Sequence, residues 1–344
     1  MPRASLSATL IASALVVVTG CQTRSTAKPN KDGGAAGDAG ALVAPNLRRL
    51  PPLTPLRPPE PAVEMPRELR FTLLEPGQGA RKVLRYRPDG SARELVARAL
   101  VTTRGYADGV WTDPLTLAPL RDGFGITAAP PASAGAAAVA VQLRGLSATV
   151  EAGGPAAGVA AAEFYLERWR LLLEKRRADI TTDARGRILT TTLVDDPARH
   201  RVDARDELVQ RWLGLVVPLP EEPIAVGARW RVVSVLRAGG AVLKQTATYR
   251  LTAADAAGWT VVVEVERIGE PQDITVPGMA AGVLGEVVAL RRVVTGTLTV
   301  RASDPLPVRG KLTSDVASHA RFHLPGKTTE RYTEDQATIE LGPP

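Results

Sequence analysis

The sequence predicts a mainly β protein: a curved antiparallel sheet, able to curl as far as a half-barrel, with one amphipathic helix. Three observations predict it. Apolar and polar residues alternate with a period of two through much of residues 243–324. Gly, Pro and Asp cluster between those runs. One stretch, residues 203–217, carries helical spacing between a capping aspartate and a proline. A period of two gives a strand one wet and one buried face, whereas spacing near 3.6 marks a helix.

Taken in chain order, residues 1–20 come first. Arg3 and the amino terminus give a short positive start, and residues 4–18 are small and apolar. About 15 apolar residues are too few for a membrane span of ~20, so this is a secretory signal. Cys21 follows directly and is the only cysteine of the 344 residues. An exported body with no second thiol has no intramolecular disulfide to make.

Residues 21–66 read as a tether. Residues 22–40 are rich in Gly, Ala, Ser, Lys and Asp and suit a flexible coil. Residues 45–66 are dense in proline. Polyproline II at ~3.1 Å per residue would extend those residues to ~70 Å. Residues 55–58 also fit a PxxP docking pattern, but a stiff spacer is the simpler reading.

The body begins near Arg67, with an N-terminal half over residues 67–200 and a C-terminal half over residues 201–344. In the first half, strands are expected at residues 83–87, 92–103, 139–150, 177–182 and 187–194. Residues 107–131 read as a long loop and residues 152–158 as a flexible connection. Residues 163–180 are ambiguous: Leu166, Trp169, Leu172 and Leu173 suit a helix, while the C-terminal part leans towards strand. In the second half Asp203 caps a helix in which Leu208, Trp212 and Leu215 share a face, stopped by Pro218. Four alternating strands follow, around residues 243–251, 259–266, 294–301 and 311–324. Turns are expected at residues 239–240, 255–258 and 325–326.

The formal charge is +7, from 43 Lys and Arg against 36 Asp and Glu. Setting aside the signal and the tether leaves the body about +4, with both signs interleaved, which is no nucleic-acid footprint. Aromatic residues at 4% argue against a stacking platform for bases.

Two stretches carry resemblances. Val18-Thr19-Gly20-Cys21 resembles the lipobox of bacterial lipoproteins. That resemblance implies that the Cys21 thiol takes a diacylglycerol, that cleavage leaves Cys21 first, and that its amino group takes a fatty acyl chain such as palmitate. Gln22 stands where an aspartate would retain an enteric-type lipoprotein at the inner membrane, so an outer-membrane address is implied. The stretch "VPLPEEPIAVGARWRV" at residues 217–232, with "TATYRL", "GWTVVVEV" and "GTLTVRASDPLPVRGKL" downstream, resembles an uncharacterised family of bacterial lipoproteins with a lipobox, a low-complexity spacer and a β-rich body. Its meaning is structural: Pro218, Pro220 and Pro223 hold an extended turn, Gly227 gives a kink, and Trp230 enters the core. That family brings no activity with it.

The tempting sites weaken on inspection. His319 and His323 stand at i, i+4, but on a strand they would lie ~13 Å apart, too far for one ion. They read as two solvent-facing histidines beside Arg321, with His200 remote. "GFGITA" at residues 123–128 matches a loose dinucleotide pattern, yet Pro130 and Pro131 forbid the helix that should follow, so a loop is expected. Asp195-Asp196 and Glu221-Glu222 read as exposed turn carboxylates. No serine elbow or P-loop is present.

No catalytic, cofactor or metal residue is therefore assigned, and Cys21 as a lipidation site is the one functional residue. The expected protein is a non-catalytic envelope lipoprotein, lipid-anchored to the outer membrane, with its body in the periplasm or at the cell surface and an envelope protein as partner. The alternative is a binder of amphipathic or lipid ligands on the concave face of the sheet. A hydrolase with an unannounced site ranks last.

Overall fold

The computed structural model describes residues 69–107, 110–130, 138–153, 155–172, 177–194, 215–238, 241–274, 284–324 and 327–344. Among the described residues, fifteen strands join in one antiparallel sheet. From one edge the order is β1 (Arg70–Glu75), β9 (Arg229–Ala238), β10 (Ala241–Ala254), β11 (Gly258–Gly269), β13 (Leu284–Arg301), β14 (Asp304–Leu324) and β15 (Lys327–Gly342). It continues through β2 (Ala92–Ala107), β5 (Leu120–Ala129), β6 (Ala138–Val150), β7 (Arg177–Asp183) and β8 (Ile188–Val194). Three short strands lie off this path: β12 (Gln272–Ile274) on β13, and β3 (Val110–Trp111) and β4 (Leu115–Thr116) on β2. The last strand meets the second along the run from Tyr332↔Tyr106 to Gly342↔Val96. That long-range pairing makes one sheet of the chain's two halves.

The sheet curls around a shared core without closing into a barrel. Alternation decides which face turns inward. Val261, Val263 and Val265 of β11 are buried, as are Leu95 and Val101 of β2 and Phe124 and Ile126 of β5. The two edges approach each other at one end. Arg185, in the β7–β8 turn, lays its guanidinium 4.7 Å above the Phe71 ring of β1. The same turn is held by Gly186, which donates to Asp183 O at 2.9 Å and takes φ +76°.

A latch ties the start of β14 to β2. Arg93 Nε meets Asp304 Oδ2 at 2.7 Å, and Arg93 Nη2 reaches the carbonyls of Leu306 and Pro307 at 3.0 and 3.1 Å. Burial pushes the Asp304 carboxyl up, with Arg93 opposing. Arg93→Met strands that carboxyl and is expected to cost about 3–5 kcal/mol. Urea unfolding would measure it, and a loss under ~1 kcal/mol would mean that the pair is not desolvated.

Four sequence expectations need correction. Residues 123–128 are not a loop. They belong to β5, paired on both sides, with Phe124 and Ile126 inward and Gly123 and Gly125 outward. A Cβ on Gly123 would meet Ser147 Oγ at 2.7 Å, so glycine serves close strand approach here. The expected long loop at residues 107–131 therefore holds β3, β4 and β5, because neighbouring strands outweigh weak local propensity. Residues 83–87 form no ladder. Their backbone is tied to turns instead: Tyr86, which is buried, donates its N–H to Ala184 O at 2.8 Å and Arg87 N donates to Ala302 O at 2.7 Å.

The connection expected at residues 152–158 already contains the start of helix α1 (Ala156–Leu172). Its first bond runs from Val159 N to Pro155 O at 3.1 Å. Alanine favours the helix, and Gly158 lets it sit tight against β4, where a Cβ would be 2.2 Å from Thr116 O. Ala161, Ala162 and Tyr165 join the core. The ambiguous stretch thus divides into the helix and β7. The helix expected from Asp203 lies outside the described residues, save that residues 215–220 run as a turn and coil. The turns at residues 239–240 and 325–326 lie outside them too, as do the signal and tether. The Asp255 turn is present, its Oδ1 accepting from Ala257 N and Gly258 N at 2.8 and 2.9 Å.

Candidate functional site

The feature that breaks the apolar logic of the concave face is a polar belt. Direct cross-strand pairing aligns Ser234, Gln245, Arg267, Arg292, Val316, Asp335 and Thr103 on seven successive strands. One level down, the row is Val232, Ala247, Val265, Val294, Ser314, Ala337 and Val101, which adjoins the main core. Beyond the belt lies a second apolar cluster, built from Leu243, Ile274, Val287, Leu290 and Phe322 among others. Gly269 allows this cluster to close: a Cβ there would stand 2.9 Å from Leu243 Cδ2 and 3.2 Å from Leu290 Cβ. The belt separates the two clusters.

Arg267 is 6% exposed, Arg292 7% and Asp335 9%. Arg267 Nε donates to Gln245 Oε1 at 2.7 Å, and Gln245 Nε2 in turn donates to Ser234 Oγ at 3.3 Å. Arg292 Nε donates to Ser314 Oγ at 3.1 Å. Burial lowers the Arg267 guanidinium to about 10, which leaves it cationic at neutral pH. Burial also raises the Asp335 carboxyl to about 6, against the pull of a Thr103 hydrogen bond and the Arg292 charge. The arrangement sets charged and polar groups in a buried layer, where their interactions are weakly screened.

The sequence reading missed this belt, although a signal for it exists. Arg267 falls in the buried phase of Val261, Val263 and Val265, and Asp335 in that of Ile339 and Leu341. A charge at a buried-phase position is a break in period that can be counted. That the breaks align is a matter of register, which no single strand carries.

The predicted histidines lie on the opposite, outer face. His323 is exposed there, but His319 is 2% exposed, which corrects the expectation of two solvent-facing rings. The Tyr332 ring stacks on it at 3.9 Å. His319 Nε2 lies 3.5 Å from Glu330 Oε2, and burial lowers its proton affinity. Arg321 stands between the histidines and grips Glu286 and Glu330, both at 2.9 Å. The carboxylates nearest the imidazoles are therefore already engaged by a guanidinium. Among the described residues no group of three His, Cys, Asp or Glu is placed to hold a metal ion.

The aromatic row continues from Tyr332 to Tyr106 and Trp111 at 5.4 Å steps, with Arg104 lying 4.7 Å over the Trp111 ring and paired to Glu334. Beside it is an outer groove of about 240 Å³, lined by Arg104, Pro114, Arg291, Asp315 and Gln336 among others. Glu221 and Glu222 are exposed, with Glu221 paired to Arg185 at 3.1 Å. Cys21, Asp195, Asp196 and His200 lie outside the described residues.

The fold and the belt define a curled, open antiparallel sheet with a charged layer set into its packed concave face. Compared with known proteins, the sequence matches no family model and no curated protein.

Proposed function

We propose that the chain is a bacterial envelope lipoprotein, lipid-anchored through Cys21 to the outer membrane, whose β body serves as a non-catalytic structural or interaction module. The observation that carries this reading is the order of parts in the sequence: a short apolar signal, Val18-Thr19-Gly20-Cys21, then a proline-rich spacer before the body. Several acyl chains at ~0.8 kcal/mol per buried CH₂ hold far more firmly than one. A spacer of that length sets the body away from the lipid surface. The packed concave face supports a module that presents surfaces to an envelope partner.

Growth with a fatty-acid probe tests the anchor. Wild type should take up label and remain with membranes, and Cys21→Ala should lose both. Label and membrane retention in Cys21→Ala would overturn the anchor.

The second reading, a binder of amphipathic ligands on the concave face, is favoured by one observation. The belt places polar groups beside the apolar cluster of Leu243, Leu290 and Phe322, so that face has two chemistries side by side.

A further inference from the structure

We propose that the groove on the outer face, centred on Ala317, is a binding site for one neutral sugar ring. The groove lies on the face opposite the belt, so the site does not depend on the concave-face reading.

The first observation is how the groove forms. Arg291, Ala317, Glu334 and Arg104 stand directly across from one another on four successive strands. Arg291 Nε donates to Glu266 Oε1 at 2.8 Å, which draws that side chain towards β11. Glu334 pairs with Arg104, which draws it towards β2. The two ion pairs therefore part over Ala317. Their strands lie two spacings apart, ~10 Å, with only a methyl group between them. The space left is the cavity of about 240 Å³.

The second observation is the chemistry of the lining. Two guanidiniums, Arg104 and Arg291, and two carboxylates, Asp315 and Glu334, line the groove, so its formal charges balance. Each arginine already has a carboxylate partner. A charged ligand would meet both signs and gain little, whereas a neutral one leaves both pairs intact. A guanidinium only donates hydrogen bonds and a carboxylate only accepts them, but a hydroxyl does both. A polyol can therefore bond to both kinds of wall at once. Gln336, exposed at the rim, adds an amide that also donates and accepts. Val293, Ala317 and Pro114 supply apolar lining, which suits the C–H face of a sugar ring. Drug-sized ligands take pockets of ~300–1,000 Å³, so the smaller volume here points to a single ring.

The test applies the full chain, in a polyoxyethylene detergent that carries no sugar head, to an array of immobilised neutral and acidic mono- and disaccharides. Tetraglycine spots serve as the peptide control. Wild type should bind neutral saccharides, with a signal unchanged between ~0.05 and ~0.5 M salt, a range over which pairing between exposed charges is screened. Ala317→Leu fills the space between the ion pairs and should cut binding at least tenfold. Gln336→Ala, at an exposed position, should weaken it at least threefold. Circular dichroism verifies the folding of both variants, and Gln336→Ala carries the test if Ala317→Leu does not fold. Wild type binding no saccharide overturns the site. Binding of acidic saccharides alone, lost at high salt, overturns it in favour of a charged ligand. Binding confined to tetraglycine overturns it in favour of a peptide partner. Saccharide binding that neither variant changes lies elsewhere on the body and overturns the groove.

Discussion

Trp230→Ala is expected to lower the stability of the body by about 3–5 kcal/mol, the cost of emptying a buried indole site. Trp230 is fully buried. It sits opposite Leu73 on one neighbouring strand and Tyr249 on the other, with the Tyr249 ring stacked at 5.5 Å. Its Nε1 donates to Pro218 O at 2.8 Å, which fastens the proline-rich turn to the sheet. Gly227 makes the approach possible: φ is +89°, and its N donates to Leu251 O at 2.8 Å. The Ala variant loses the packing and also strands the Pro218 carbonyl. Trp230→Phe keeps most of the volume and loses the hydrogen bond, so ~1–3 kcal/mol is expected. Urea unfolding of both variants separates the two contributions, and equal losses would assign the whole effect to the hydrogen bond.

Asp335→Asn is expected to raise stability at pH 8 by roughly 2–3 kcal/mol and to leave it nearly unchanged at pH 4. The sign follows from proton binding. The unfolded carboxyl titrates at ~3.9, and burial raises the folded one to about 6. Between those values the folded state holds more protons, so stability falls as pH rises. The favourable contribution is full below the unfolded value and lost above the folded one. Arg292 and the Thr103 hydroxyl favour ionisation, whereas neighbouring Glu334 opposes it. Burial lowers the proton affinity of His319, but that residue is common to both proteins and cancels in the difference. Unfolding free energies at pH 4, 6 and 8 give the profile. A wild-type-minus-variant difference that does not change with pH would show that the folded carboxyl is ordinary.

Strand alternation was legible wherever one face is buried and the other wet. The runs containing Tyr249, Val263, Leu298 and Leu312 all became strands with those residues inward. The proline-rich turn was legible as well, because φ freedom at Gly227 and a missing N–H at Pro218 are properties of single residues. β5 was not: Gly123 and Gly125 are poor strand formers alone, and pairing with β2 and β6 holds them there. His319 was misplaced because its burial comes from Tyr332, a residue of the next strand.

The sequence by itself determined the mainly β class, most strand positions and the kinked turn into Trp230. Those depend on period, propensity and local dihedral preference, which act within a few residues. Only the tertiary structure decided the pairing of β15 with β2, the curl that buries one face, and the alignment of Arg267 with Arg292 and Asp335. Those depend on register between strands far apart in the chain, and a slip of one residue would send each of these charges to the opposite face.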